Sequence, residues 1–227
     1  NCLNEQIIEL ASYVSDEFNF VTGSFDFRHH GHSGNAPPTF GAAEARDIMS
    51  VLDYAESVNA PKPYILIGES LGALAIQRAT IEDNRISGSV LLSSPGWPWD
   101  AIGKQIGLGV PVGKMIDKAY GYNILTDGDI RRHNSNPPHN PKILYIIGEK
   151  DMFDWRQTQK CFNHWYGTEG IINVWPKDLL EQNKWFIVAP GLEHPDDDNY
   201  NRALNIKNYP EIYGLIHQFM TLLLEKN

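Results

Sequence analysis

The sequence of 227 residues is long enough for one domain with a full-sized core, and 42% of its residues are hydrophobic. Its formal net charge of -9 argues against nucleic acid as a main partner, because phosphate contacts require clustered Lys and Arg. The same acidic balance argues against a polybasic membrane-binding patch. No apolar run approaches the roughly 20 residues of a membrane span, so none is expected.

The first part of the chain predicts a helix, a strand and a second helix. Asn4 can cap a helix that runs to about residue 16, because the apolar residues that follow it have helical spacing. The apolar residues between Phe20 and Phe27 predict a strand that ends in a polar turn. An amphipathic pattern over residues 42–57 predicts the second helix.

The rest of the chain continues this alternation. Four short runs are almost entirely apolar, as expected for strands that are buried on both faces. They lie at residues 64–67, 89–93, 143–147 and 185–188. A helix is predicted from Leu71 to about Thr80, and a last helix begins at Pro210. The pattern indicates an α/β fold with a mostly parallel sheet flanked by helices.

The two cysteines, Cys2 and Cys161, show no spacing typical of a metal site or a disulfide framework. Two free thiols in a reducing compartment are favoured, which predicts a cytoplasmic protein. A single bridge between the two cysteines stays open as the alternative.

Residues 68–72 read Gly-Glu-Ser-Leu-Gly and match the pattern G-x-S-x-G between a predicted strand and a predicted helix. A tight turn there would expose Ser70 at the carboxyl end of the strand and strain its backbone. Gly68 and Gly72 are expected to keep neighbouring elements from colliding with this turn. The backbone N–H of Leu71 is the expected donor to a developing oxyanion. The alternative is a turn in which Ser70 only caps the helix.

A nucleophilic serine needs a general base, and the base needs an acid that orients it. In strand–turn–helix sites of this type the expected chain order is Ser, acid, His, with each residue just after a strand. Asp151 follows the strand at 143–147, and His194 follows the strand at 185–188. The sequence therefore predicts Ser70 as nucleophile, Asp151 as orienting acid and His194 as general base.

Other residues fit these roles less well. Asp154 lies three residues beyond Asp151 and is the substitute acid. Four other histidines do not directly follow a predicted strand. They are His133, His139, His164 and His217. His217 falls in the last helix and is interpreted as a packing or surface residue.

Four segments resemble the α/β-hydrolase fold family, and the resemblance covers nearly all of the chain outside residues 96–141. The segments are 26–34 (D-F-R-H-H-G-H-S-G), 68–72 (G-E-S-L-G), 148–151 (G-E-K-D) and 190–194 (P-G-L-E-H). The first is similar to the family's D-x-R-G-H-G-x-S turn, with His29 where glycine is usual. That turn is structural in the family, so His29, His30 and His32 are interpreted as turn residues. A metal site at these histidines is the alternative, but no metal and no cofactor is expected.

By the same resemblance, residues 1–95 and 142–227 form the hydrolase core, and residues 96–141 form a cap inserted between two strands. Caps in this family cover the active site and supply an apolar pocket for the acyl group. The candidate pocket residues are Glu69, Trp97, Trp99, Ile106, Leu108 and Met115. Packing within the cap is the alternative role for each of the cap residues.

The given sequence begins at Asn1, shortly before its first predicted helix. In the family, three strands precede the helix that this one resembles. The third of them lies in the centre of the family's sheet and leads to the loop that supplies a second oxyanion donor. Buried backbone groups without a pairing strand are costly. We therefore expect an upstream segment or a second chain to complete the sheet, and no second oxyanion donor is assigned.

The predicted function is hydrolysis of a carboxylic ester or thioester in a small-molecule acyl substrate, through an acyl-enzyme on Ser70. An acyltransferase is the first alternative, because an alcohol or thiol could intercept the same acyl-enzyme. Cleavage of a carbon–carbon bond in a diketone is a variant on the same scaffold. The alternative from another class is a non-catalytic module that binds a hydrophobic ligand beneath the cap.

Overall fold

The computed structural model describes residues 5–36, 39–96, 118, 139–166, 183–193 and 210–225. In chain order the elements are α1 (Glu5–Phe18), α2 (Ala42–Ser57), β1 (Tyr64–Glu69), α3 (Leu71–Glu82), β2 (Ile86–Leu92), β3 (Lys142–Lys150), α4 (Trp155–Tyr166), β4 (Lys184–Glu193) and α5 (Pro210–Leu224). The sheet has the strand order β1-β2-β3-β4, and every neighbouring pair is parallel. The predicted α/β fold with a parallel sheet is confirmed.

Helices cover both faces of the sheet. Successive side chains of a strand point to opposite faces, so apolar residues in a row make both faces apolar. Tyr145 of β3 packs on one face with residues of α2, α3 and α4. Ile146, the next residue, packs on the other face with residues of α1 and α5. Strands β2 and β3 are therefore apolar along most of their length. Burial of each large side chain there contributes roughly 1.5–3 kcal/mol.

Helix α3 is buried on all sides over residues 73–80. Its small residues Ala73, Ala75 and Ala79 are fully buried, which allows the helix to lie close to β1 and α2. The helix begins one residue after Ser70. The start of α3 is thus held in place by packing along its length, and so is the turn that precedes it.

The strand predicted between Phe20 and Phe27 is wrong. Residues 19–27 have no regular secondary structure, and no strand of the described sheet pairs with them. Their aromatic side chains serve for packing instead: Phe25 and Phe27 contact the core on the side of α3, with their ring centroids 4.9 Å apart. Apolar residues alone predict burial, but a strand also requires a hydrogen-bonded neighbour.

Residues 26–34 form the predicted polar turn. The carboxylate of Asp26 accepts a hydrogen bond from the backbone N–H of His32. A Cβ at position 31 would overlap that carboxylate, and Gly31 has a φ of 51°, so the turn requires glycine there. Arg28 pairs with Asp47 of α2 at 2.6 Å, which fastens the turn to the helix.

The remaining predicted elements are found, with ends that differ by a few residues. The largest difference is β4, which continues to Glu193. Among the described helices, none combines the length and hydrophobicity that a membrane-spanning segment requires. Of the predicted cap, only Gly96, Lys118 and residues 139–141 are described, so the division into core and cap stays a prediction. Strand β1 pairs only with β2 within the described residues, and completion of the sheet by another segment also stays a prediction.

Candidate active site

Ser70 occupies the tight turn between β1 and α3. Its φ of 50° and ψ of -116° lie outside the regions that residues with a side chain ordinarily adopt. Strain of this kind costs about 1–3 kcal/mol and persists only where surrounding structure enforces it. Here the N–H of Ser70 donates to the carbonyl of Leu92 at 2.9 Å, and its carbonyl accepts from the N–H of Leu74 at 3.1 Å. The turn is therefore held from both the sheet and the helix.

The two glycines of the 68–72 segment have different environments. A Cβ at Gly68 would lie 2.6 Å from Cδ1 of Ile76 and 2.9 Å from the carbonyl carbon of Gly72. A Cβ at Gly72 would lie 3.7 Å from the ring of Phe27, which is ordinary contact. The expectation that both glycines prevent collisions therefore holds for Gly68 and is wrong for Gly72.

Glu69 is the last residue of β1 and immediately precedes Ser70. Its side chain is half-buried, and its Oε1 atom is shielded from solvent. Leu71, on the other side of Ser70, is the first residue of α3. The positive end of a helix dipole lies at such an N-terminus, where backbone N–H groups favour negative charge. The turn thus offers a hydroxyl next to a site that can stabilise an anion.

The chain leaves β2 beside this turn through a second strained residue, Ser93. Ser93 is fully buried with a φ of 47°, and its N–H donates to the carbonyl of Ile146 on β3 at 2.8 Å. The next carbonyl, that of Ser94, accepts a hydrogen bond of 2.5 Å from the hydroxyl of Tyr145. Burial raises the pKa of Tyr145, so its hydroxyl stays a donor at neutral pH.

Sequence reasoning missed these supporting residues around the exit from β2. The available signal was the tyrosine within the apolar run at 143–147, because a buried Tyr hydroxyl usually needs a partner. No local pattern marked Ser93, since serine is common after strands and its strained backbone depends on bonds to β3.

Asp151 follows β3 directly and is half-buried. Its Oδ1 accepts a hydrogen bond of 2.9 Å from the N–H of Phe153, and its own N–H donates to the carbonyl of Gly148 at 3.3 Å. These bonds fix the orientation of the carboxylate, and its Oδ2 atom is shielded from solvent. A charge shielded in this way acts more strongly on a neighbouring group than an exposed one.

Asp154, the substitute acid, has a different role. Its side chain is exposed, and its Oδ1 accepts from the N–H of Arg156 at 3.0 Å. Its carbonyl accepts from the N–H of Thr158 in the first turn of α4. Asp154 therefore acts as the N-cap of α4.

The register of β3 and β4 bears on the third predicted residue. Lys150 and Glu193 are partners across these two parallel strands. The residues that follow them in the chain are Asp151 and His194. His194 itself lies outside the described residues. So do His133 and the predicted cap residues Trp97, Trp99, Ile106, Leu108 and Met115.

Three other described histidines lie on elements other than the turn at Ser70. His139 precedes β3 at the amino end of the sheet, and burial lowers its pKa while the charge of Asp83 opposes this effect. His164 is exposed on α4. The Nδ1 atom of His217 on α5 lies 2.8 Å from the hydroxyl of Tyr13 on α1, so this histidine joins two helices.

Two histidines of the 26–34 turn have local hydrogen-bonding partners. Nδ1 of His29 lies 2.7 Å from Oδ1 of Asn35, and Nδ1 of His30 lies 3.0 Å from the carbonyl of Arg28. Within the described ranges no group of three or more His, Cys, Asp or Glu side chains has an arrangement that could hold a metal ion.

A strained serine between a parallel strand and a helix, with an acid after a second strand of the same sheet, is the geometry of a known family. The model of the Alpha/beta hydrolase family matches residues 6–202. The chain belongs to this family. No curated protein sequence matches this hydrolase.

Solved structures share the fold of this hydrolase at low sequence identity. Esterase Pf2001 of Pyrococcus furiosus is 20% identical, with a TM-score of 0.60 over 95% of this chain and 74% of that chain. A putative alpha/beta hydrolase of Agrobacterium tumefaciens is 18% identical, with a TM-score of 0.60 over 99% of this chain and 79% of that one. Est1E of Butyrivibrio proteoclasticus, with ferulic acid bound, is 15% identical, with a TM-score of 0.59 over 96% and 84% of the two chains.

Proposed function

We propose that this hydrolase cleaves a carboxylic ester or thioester of a small molecule through an acyl-enzyme on Ser70. The observation that carries the proposal is the strained backbone of Ser70, which two backbone hydrogen bonds hold between β1 and α3. A serine that only capped a helix would need no such conformation. Strain that the surroundings enforce is typical of functional positions.

In the proposed mechanism Oγ of Ser70 attacks the substrate carbonyl while His194 takes its proton. The carbonyl oxygen becomes an oxyanion that the N–H of Leu71 stabilises at the start of α3. Collapse expels the alcohol or thiol, which takes the proton from His194. Water, activated by the same imidazole, then releases the acid and restores Ser70.

Asp151 is proposed to hold His194 in the tautomer that accepts the serine proton and to stabilise the imidazolium that forms. Two observations support this pair. The carboxylate of Asp151 is oriented by the N–H of Phe153 and shielded from solvent at Oδ2. Lys150 and Glu193 are register partners, so the chain positions of Asp151 and His194 follow neighbouring points of the sheet.

The acyl group is proposed to be apolar and to lie between Glu69 and the predicted cap, whose candidate residues include two tryptophans. The ferulic acid in the Est1E structure is an aromatic acid, which makes a feruloyl ester a reasonable probe beside short p-nitrophenyl esters. Apolar lining with a few polar groups is the usual composition of such pockets.

The test is substitution of the nucleophile. Ser70→Ala should lower kcat for p-nitrophenyl acetate or feruloyl ester by roughly 10⁴-fold or more, because the acyl-enzyme can no longer form. A fluorophosphonate probe should label the wild type at Ser70 and leave the variant unlabelled. Turnover retained by the Ser70→Ala variant would refute the proposal.

A further inference from the structure

The register between β3 and β4 shifts near their carboxyl ends. Gly148 is the partner of Ala189, and Lys150 is the partner of Glu193. Between these two pairs β3 advances by two residues and β4 by four, so β4 carries two extra residues within 190–192. Such a bulge changes the direction in which a strand presents the residues that follow it. Here the next residue is position 194.

Two residues of β3 contact this bulge. The N–H of Gly191 donates to Oε2 of Glu149 at 3.2 Å, and Gly191 itself has a φ of 71°. A Cβ at Gly148 would overlap the carbonyl of Leu192, so the absence of a side chain there lets the bulge lie against β3. Gly148 thus provides the space, and Glu149 provides a directional bond.

We propose that Glu149 is a positioning residue for the general base: its carboxylate holds the N–H of Gly191 and with it the bulge that leads into residue 194. This inference rests on the proposed function, because it assigns the consequence to His194. Hydrogen bonds to an ionised carboxylate are among the stronger ones, although exposure of Glu149 reduces this advantage. Small displacements of a catalytic group are costly, since a misplacement of about 1 Å can lower a rate by roughly 100-fold.

The test compares three variants at neighbouring positions of β3. Glu149→Ala removes the acceptor, Glu149→Gln replaces it with a neutral amide oxygen that still accepts an N–H, and Lys150→Ala removes the next exposed side chain on the same strand. We expect Glu149→Ala to lower kcat and the rate of fluorophosphonate labelling of Ser70 by about fivefold, with KM changed by less than about twofold. Glu149→Gln and Lys150→Ala should stay within about twofold of the wild type.

The pH profile separates positioning from a general loss of folded enzyme. A carboxylate raises the pKa of an imidazole that it contacts, so a weaker contact between Asp151 and the proposed base should shift the loss of activity to lower pH. The acidic limb of kcat/KM should therefore move to lower pH in Glu149→Ala. A merely structural role of Glu149 would scale the whole profile without moving that limb.

Three results would overturn the inference: wild-type kcat in Glu149→Ala, an equal loss in Glu149→Gln and Glu149→Ala, or an acidic limb that does not move in Glu149→Ala. Each of these results would leave the proposed function intact as long as the wild type is labelled at Ser70. Absence of labelling in the wild type, in contrast, would count against the proposed function itself.

Discussion

The two ends of the sheet are built on different principles. At the carboxyl end, the chain leaves β1 and β2 through Ser70 and Ser93, both with positive φ and both held by backbone hydrogen bonds to a neighbouring strand. At the amino end, the connections depend on charged side chains. Arg85, just before β2, pairs with Asp83, Asp53 and Glu56.

One further contact at the amino end also depends on a charged side chain. The ammonium of Lys184, the first residue of β4, donates to the carbonyl of Tyr166 at 3.0 Å and closes the last turn of α4. The hydrogen bond to Asp83 contributes most to the raised pKa of Arg85, so this guanidinium stays charged throughout the pH range of the protein. Strained backbone thus shapes the turns at the carboxyl end, whereas charged side chains fasten the helices to the sheet at the amino end.

Substitution of the two glycines beside Ser70 tests the carboxyl end of the sheet. Gly68→Ala should destabilise the protein by about 1–3 kcal/mol, because its Cβ would press on Ile76, and should lower the labelling rate of Ser70 in the folded fraction. Gly72→Ala should be neutral or stabilise by up to about 1 kcal/mol, since alanine favours a helix. Urea unfolding and fluorophosphonate labelling measure the two effects. Equal losses in both variants would contradict the difference between the two glycines.

Substitutions at the amino end of the sheet should change the stability of the protein and leave its turnover unchanged. Arg85→Met should lower the free energy of unfolding by about 1–2 kcal/mol, because Asp83, whose side chain is 9% exposed, would lose its charged partner. Turnover per folded molecule should stay at the wild-type value. Lys62→Ala is the matched control, since it removes an exposed pair with Glu56 and should change stability by less than about 1 kcal/mol. A reduced kcat in Arg85→Met at full folding would break the proposed separation of the two ends.

The smallest expected effect is a pH dependence at the amino end. Burial lowers the pKa of His139, and hydrogen bonds from Arg85 lower that of Asp83. The unfolded chain therefore binds these protons more readily than the folded one, and stability falls as the pH falls. The loss should begin below the ordinary His value of 6.5 and continue below the ordinary Asp value of 3.8.

His139→Gln tests the first part of this loss. The variant should lose less stability than the wild type between pH 7 and pH 5 when urea midpoints are compared, because it has no imidazole to protonate. An unchanged slope in that interval would show that His139 does not contribute. The kcat values of the two proteins should follow the same pH profile, since His139 lies at the end of the sheet opposite to Ser70.

Much of the fold followed from the sequence, because parallel strands buried on both faces are nearly continuous apolar runs. The turn at Ser70 could also be predicted, since glycines and a strand-to-helix change mark it locally. The 19–27 segment was misjudged because pairing depends on a neighbour that no local pattern reveals. The bulge at 190–192 was missed for a related reason, since its contacts with Gly148 and Glu149 come from a distant part of the chain.

The strand order of the described sheet equals the order of its strands in the chain. As a polypeptide of this kind emerges from the ribosome, each strand can dock against the one synthesised just before it. Among the described strands, β1, which ends just before Ser70, would be placed before β4, which leads to residue 194. The proposed nucleophile would thus be in place before the proposed general base is synthesised.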